Sequence, residues 1–223
     1  PLPLARFRAR GELLELRQAD LRFTREEVGA FLDRVADLSL SPDDVDALTA
    51  RTEGWVAGLQ LAALSMQQRD DPSGFVRAFT GSHRFVIDYL AGEVFAQQGP
   101  DLQAFLLQTA ILDRMTASLC EAVCFGKAET HSNRQDGQST LEMLERENVF
   151  VVPLDDDRRW YRYHHLFRDM LRQRLLRTVE GPRVATLHLR ASRWFEEERF
   201  VVSAVDHAIA AADLSRATAL IDD

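Results

Sequence analysis

Apolar residues along this chain recur mostly three and four positions apart, the spacing that lines one face of an α-helix, and short polar or Gly/Pro-bearing breaks separate the stretches. The breaks carry start and stop signals. In DLRFTREEVGAFL, Thr24 is placed to cap a helix and Glu27, three residues on, completes a capping box, with Phe23 and Val28 flanking the cap as a hydrophobic staple. In SPDDVDAL, Ser41 caps, Pro42 takes the first helical position, and Asp43 and Asp44 sit where the helix dipole favours acids. Leu48, Trp55, Leu59, Ala62, Ala63 and Met66 continue the helical spacing, and Gly54 divides that stretch into two helices. Asp70 to Gly74 reads as a polar turn, Phe75, Val76 and Phe79 as a short helix ended by Gly81, and Ser82 as the cap of HRFVIDYLAGEVFAQQ. LLEL, Leu13 to Leu16, is a strand candidate.

Beyond Gly99 and Pro100 the pattern changes. Leu102, Phe105, Leu106 and Thr109 share a stripe, Thr116 caps ASLCEAVC, the polar stretch Gly126 to Ser139 reads as a loop, and STLEMLEREN forms a third helix. VFVVPL, DDDR and WYRYH then read as an apolar strand, an acidic turn and an aromatic strand, which is a hairpin. Three helices, a hairpin and a closing helix spell a winged helix from about Asp101 to Leu176. In the tail, three helical patterns follow closely: Leu187, Ala191 and Trp194 mark the first, Ala204, Val205, Ala208, Ile209 and Ala212 the second, and Leu214, Ala217, Leu220 and Ile221 the third. The alanines Ala191 and Ala208 allow the close approach that helical-hairpin repeats need. The expected class is therefore mainly α. Residues 1–20 are expected to end an upstream domain or linker, 21–99 to form a helical bundle, 100–180 a winged helix with a small β-hairpin, and 183–223 the first helices of a TPR-like superhelix. The abrupt opening PLPLARFRARG and the close inside ATALIDD are what a piece of a longer protein is expected to show.

At 223 residues, 46% hydrophobic and 28% charged, the chain can bury the core of two or three small modules. Its net charge of -8 excludes a surface that clamps nucleic acid all over. One region is basic, with Arg158, Arg159, Arg162, Arg168, Arg172, Arg174 and Arg177, and a winged helix often reads DNA. Yet the helix that would enter the groove carries Glu142, Glu145 and Glu147 against Arg146, and an acidic reader helix repels phosphates. The arginines are then a solvated face or a domain contact. Cys120 and Cys124 share a helix face without the partners of a zinc site, which fits buried apolar residues in a reducing cytoplasm. No run of about 18 apolar residues and no signal-peptide pattern is present, so a cytoplasmic protein with no membrane role is expected.

VFVVPLDDD superficially matches the strand and carboxylates that hold magnesium in nucleotide hydrolases. Pro153 and the aromatic strand behind it favour a hairpin instead, and no G-x-x-x-x-G-K-[ST] loop occurs. Gly126-Lys127 is the sole Gly-Lys pair, with Glu121 where the first glycine would stand. No ATP hydrolysis and no catalytic residue are expected of this piece. His164 and His165 are neighbours whose rings point apart at a helix start, His188 lies in another segment, and no i,i+4 histidine pair exists, so no metal is expected.

The segment YRYHHLFRDML, Tyr161 to Leu171, joins a helix start to two imidazoles and an arginine. By itself it reads either as a phosphate sensor or as a hydrogen-bonded helix terminus. Taken with LLELRQADLRFTREEV, TEGWVAGLQLAALSM, FLLQTAILDR, LEMLERENVFVVPLDDDRRW and LHLRASRWFEEE followed by AVDHAIAAAD, it resembles the central region of MalT-like large ATP-binding regulators of the LuxR family, members of the STAND class of signal-transduction ATPases. The resemblance implies an upstream P-loop nucleotide-binding domain, an arm of helices and winged helix, a repeat superhelix that binds an inducer, and a separate C-terminal helix-turn-helix through which alone DNA is bound. It also implies ADP or ATP with Mg in the parent and none in this piece, with self-association of the parent when active. His164 falls at the histidine that contacts ADP phosphates in such proteins, His165 stands where an aspartate is usual, and Arg168 follows in the same segment. Gly54-Trp55-Val56 falls where relatives place a glycine, any residue and a proline against the adenine, and Val56 departs from that proline. The implied role is signal coupling in a transcriptional activator. The rival from another class is a free-standing helical adaptor that binds a protein partner through its tail.

Overall fold

A computed structural model describes residues 4–14, 18–67, 71–79, 83–126 and 136–222. The chain divides into two compact units, Pro1–Phe79 and Thr80–Asp223. Thirteen α-helices and one two-stranded antiparallel sheet are described.

The first unit holds α1 (Leu4–Ala9), a 3-10 turn (Gln18–Leu21), α2 (Arg25–Arg34), α3 (Pro42–Thr52), α4 (Val56–Met66) and α5 (Pro72–Ala78). The helices α2, α3 and α5 start where unpaired N–H groups find side-chain acceptors. Thr24 Oγ1 accepts from the Glu27 amide at 3.3 Å while the Glu27 carboxylate accepts from the Thr24 amide at 2.8 Å, the reciprocal box that the sequence predicts. Ser41 accepts from the Asp44 amide at 3.2 Å, and Asp71 caps α5 ahead of Pro72. The helix thus begins inside the stretch expected to be a turn. Val28, Leu32, Leu48, Leu59, Ala62, Met66, Val76 and Phe79 make the core. Arg51, at the end of α3, closes the end of α5 by donating to the Val76 and Phe79 carbonyls.

Gly54 breaks α3 from α4 as expected. Glu53 and Gly54 both have positive φ, 51° and 70°, and the Phe23 amide donates to the Gly54 carbonyl at 2.9 Å. A Cβ at Gly54 would run into the Phe23 carbonyl oxygen, so this turn needs glycine for space as well as for dihedral freedom. The strand expected at LLEL is corrected in its first half: Leu13 and Leu14 belong to no strand, and Leu14 is 85% exposed. A four-residue apolar run becomes a strand only beside a pairing partner, and the unit offers none among its described residues. Glu15 and Leu16 lie outside the described residues, as do Gly81 and the expected cap Ser82.

The second unit opens with α6 (Arg84–Tyr89), continued by a π-helical turn (Leu90–Phe95), and its winged helix follows as α7 (Pro100–Thr109), α8 (Ala117–Phe125), α9 (Gly137–Arg146), β1 (Val151–Pro153), β2 (Tyr161–Tyr163) and α10 (His165–Thr178). Pro100 begins α7, and Thr116 Oγ1 caps α8 by accepting from the Leu119 amide at 3.2 Å. Asp136 caps α9, so Gly137 to Ser139, expected in the loop, are helical; 127–135 lie outside the described residues. β1 and β2 pair antiparallel with Val151 opposite Tyr163. A third edge was not legible from the pattern: Met115 exchanges two backbone hydrogen bonds with Tyr161, at 2.7 and 2.8 Å. The acidic turn is structural, since the Asp155 carboxylate accepts from the Arg159 and Trp160 amides at 2.8 and 3.0 Å.

The tail is α11 (Gly181–Glu197), α12 (Val201–Ala210) and α13 (Leu214–Asp222). It belongs to the same compact unit as the winged helix, and so does the stretch from Arg84 to Phe95. Periodicity shows that a helix has an apolar stripe without showing which neighbour covers it. Here Val86, Leu90 and Phe95 are buried, and the Arg174 guanidinium of α10 lies 4.6 Å over the Phe95 ring. At the other end, Arg190 of α11 donates to the Val123 and Cys124 carbonyls at 2.9 and 3.0 Å, and the Arg114 guanidinium lies over the rings of Trp160 and Phe200 at 4.6 and 4.9 Å. Among the described residues no helix is long and apolar enough to cross a membrane.

Gly54→Ala is expected to destabilise the first unit by about 2 kcal/mol, because it combines backbone strain at positive φ with a clash. Gly92→Ala, where an added Cβ meets nothing within 4 Å, is expected to change stability by less than about 1 kcal/mol. Urea unfolding of both variants followed by circular dichroism measures the difference.

Candidate functional site

The sensor segment sits at the start of α10, directly behind β2. His164 is the residue before the helix: its backbone is extended (φ -55°, ψ 139°), its amide donates to the Phe150 carbonyl at 2.8 Å, and its Nδ1 accepts from the Leu166 amide at 3.3 Å. An Nδ1 that accepts carries no proton, so this geometry holds the neutral Nε2–H tautomer. The ring stands edge-on to Phe150 at 5.6 Å, and the residue is 1% exposed. An imidazole placed this way is a helix cap. The ring expected to face a phosphate is thus buried in this chain, at the junction of the hairpin and the helix it starts, with Phe150 edge-on against it.

His165 is the exposed member of the pair, at the first helical position of α10. The two rings do diverge as neighbours at a helix start must. Arg168, one turn on, donates to Asp113 at 2.9 Å, and Arg172, a further turn on, donates to the same carboxylate at 3.1 Å and to the Ala110 and Ile111 carbonyls at 2.7 and 3.0 Å. Arg168 and Arg172 thus fasten α10 to the end of α7. Arg158 is spent on Glu145 through three hydrogen bonds of 3.0 to 3.2 Å. With Arg174 on Phe95, much of the basic stretch makes contacts inside the unit.

Gly54, Trp55 and Val56 lie in the first unit, apart from this segment in sequence. Gly54 is the buried turn described above, Trp55 is the half-buried residue ahead of α4 and donates its amide to the Thr52 carbonyl at 2.9 Å, and Val56 starts α4 with 36% of its surface exposed. Arg22 pairs with Glu53 beside them at 3.0 Å.

Other candidates resolve into structure. Burial raises the Cys120 thiol well above its usual range and pushes Cys124 up to about 12, so neither is a nucleophile at neutral pH. Tyr163 shares a buried hydroxyl contact with Thr109 at 2.7 Å. Among the described residues, no group of three or more His, Cys, Asp or Glu could hold a metal ion. Sequence reasoning missed the contact between His188 of α11 and His207 of α12, whose Nδ1 atoms lie 2.9 Å apart. Each imidazole breaks an apolar helical stripe, which is a signal of sorts, but nothing in the order of residues says that the two meet.

The geometry of α7 to α10 is that of a winged helix, and residues 91–183 match the family described as the MalT winged helix domain. The similarity extends past the domain. The chain is 38% identical over 221 residues, 99% of its own length, to the serine/threonine-protein kinase PknK of Mycobacterium tuberculosis strain H37Rv, and covers 19% of that protein. It is 33% identical over 220 residues to the HTH-type transcriptional regulator MalT of Yersinia enterocolitica and 34% over 218 to that of Klebsiella pneumoniae, covering 23% of each. The chain thus spans about a fifth of the length of these curated relatives. In the winged helix described here, the helix that reads DNA in other winged helices exposes Glu142 and Arg146, with Glu147 exposed just past its end.

His164→Ala is expected to cost about 2 kcal/mol of stability, combining a lost cap with a small cavity. His165→Ala is expected to change it by less than about 0.5 kcal/mol. Thermal and urea unfolding of the two variants separates the cap from the exposed ring.

Proposed function

We propose that this chain is the regulatory arm of a MalT-type transcriptional activator, a STAND-class switch in which nucleotide state and inducer binding are coupled to self-association. The observation that carries this reading is the breadth of the match. Nearly the whole chain is shared with proteins named as a kinase and as an HTH-type transcriptional regulator. A region common to two such outputs serves neither phosphoryl transfer nor base reading; it serves what lies upstream of both. The engagement of Arg158 by Glu145 and of Arg168, Arg172 and Arg174 by other groups of the same unit agrees with that, since it leaves less positive charge free to bind a phosphate backbone.

In this reading the arm is no enzyme and carries no cofactor. Its partners are an upstream nucleotide-binding domain, holding ADP or ATP with Mg, and a downstream repeat domain of the same chain, with DNA bound by a separate helix-turn-helix in the cytoplasm. The phosphate contact at the start of α10 falls to His165, the exposed ring, with His164 behind it fixing where the helix begins and Arg168 holding the helix to Asp113. Gly54, Trp55 and Val56 serve the adenine side, where Val56 offers an apolar contact. Differential contacts of a few kcal/mol move such a two-state equilibrium from mostly off to mostly on.

The test is binding of a fluorescent ADP analogue to the longer protein with its nucleotide domain. His165→Ala is expected to weaken ADP about tenfold, in the range of one charge-assisted hydrogen bond, and to raise output without inducer. Unchanged affinity and unchanged output in a folded variant remove His165 from the switch.

A further inference from the structure

Outside the segment Tyr161 to Leu171, the first helical hairpin of the tail is joined by two imidazoles. His188 of α11 and His207 of α12 approach Nδ1 to Nδ1 at 2.9 Å, with ring centroids 5.1 Å apart. The Phe195 ring stacks on His207 at 5.4 Å and 14°, so one face of that imidazole is shut off from water by an apolar ring. Four residues on from His188, Ser192 donates to the Ala204 carbonyl at 2.8 Å and accepts from Arg216 Nε at 2.8 Å, and Arg216 also pairs with Glu196. A polar stripe of α11 at His188, Ser192 and Glu196 therefore faces α12 and α13, and the histidine contact is the member of it that can gain protons near neutral pH.

We propose that the His188–His207 contact is an acid-sensitive latch that keeps the α11–α12 hairpin closed near neutral pH and loosens it as the medium becomes acidic. With both rings neutral, one Nδ1–H donates and the other Nδ1 accepts. A first proton enters an apolar interface where charge is disfavoured. A second places two N–H donors head to head and ends the hydrogen bond.

The surrounding charges favour the neutral pair. Arg172 of α10 acts on both rings and disfavours their cations, whereas Asp113, in the turn after α7, favours the cation of His207. Asp113 is already engaged by Arg168 and Arg172, and Arg216 of α13 by Ser192 and Glu196. Burial lowers His188 below the ordinary 6.5, and burial with the neighbouring His188 lowers His207 to about 4. Because the closed hairpin binds protons less readily than the open one, the latch's contribution is full above pH 6.5 and is lost as pH falls toward 4.

Two measurements on the intact chain test this. Proton NMR titration is expected to show the His188 and His207 ring resonances holding neutral-form shifts at pH values below the ordinary histidine value of 6.5. Hydrogen exchange, corrected for intrinsic rates, is expected to show α11 and α12 opening about tenfold more readily at about pH 5 than at about pH 7.5, measured against α2 to α4. That reference unit contains no histidine, since residues 1–79 carry none. His207→Phe keeps a ring against Phe195 and removes the proton, so it is expected to abolish most of the acid response. Ordinary titration of both rings, equal pH response in the two units, or a folded His207→Phe variant with the full response would each overturn the latch. If that variant does not fold, the titration of the unaltered chain decides alone.

Discussion

Helix ends inside a folded unit leave carbonyl groups that water cannot reach, and in this chain guanidinium groups supply the missing donors. Arg51 serves α5, Arg172 serves the end of α7, and Arg190 serves the end of α8. Each clamp joins a helix end to a different helix, so satisfying the backbone also sets the packing. The second unit depends on this arrangement most. Without Arg172, α10 would lose its two hydrogen bonds to the Ala110 and Ile111 carbonyls at the end of α7, and the start of α10 is where His164 and His165 lie.

The same constraint draws much of the conspicuous basic stretch into contacts inside the second unit. An arginine that donates two or three hydrogen bonds to carbonyls or carboxylates is held there by more than a single surface ion pair would provide. Arg168 and Arg172 share Asp113, Arg158 grips Glu145, and Arg114 lies between Trp160 and Phe200. The last of these ties the base of the wing to the corner between α11 and α12. A displacement of the wing therefore bears on the first tail hairpin.

Local signals were legible wherever the physics is local. The box of Thr24 and Glu27, the caps Ser41 and Thr116, the proline starts at Pro42 and Pro100 and the turn at Gly54 each depend on residues within four positions of one another, and each formed as the pattern predicts. The hairpin was legible because alternation, Pro153 and the acidic turn agree. What escaped was non-local. Met115 pairs with Tyr161 across 46 positions, α6 joins the second unit through stripes that any neighbour could have covered, and His188 meets His207 from a different helix.

The candidate site divides along the same line. That two adjacent histidines at a helix start would diverge follows from helix geometry, but which ring turns inward depends on the strand that precedes it. Phe150, carried by the entry to β1, offers both the carbonyl that holds the His164 amide and the ring that covers its imidazole. The hairpin register therefore assigns His164 to the interior and His165 to solvent. A one-residue slip would exchange faces along the whole strand, so the wing decides which imidazole turns to solvent.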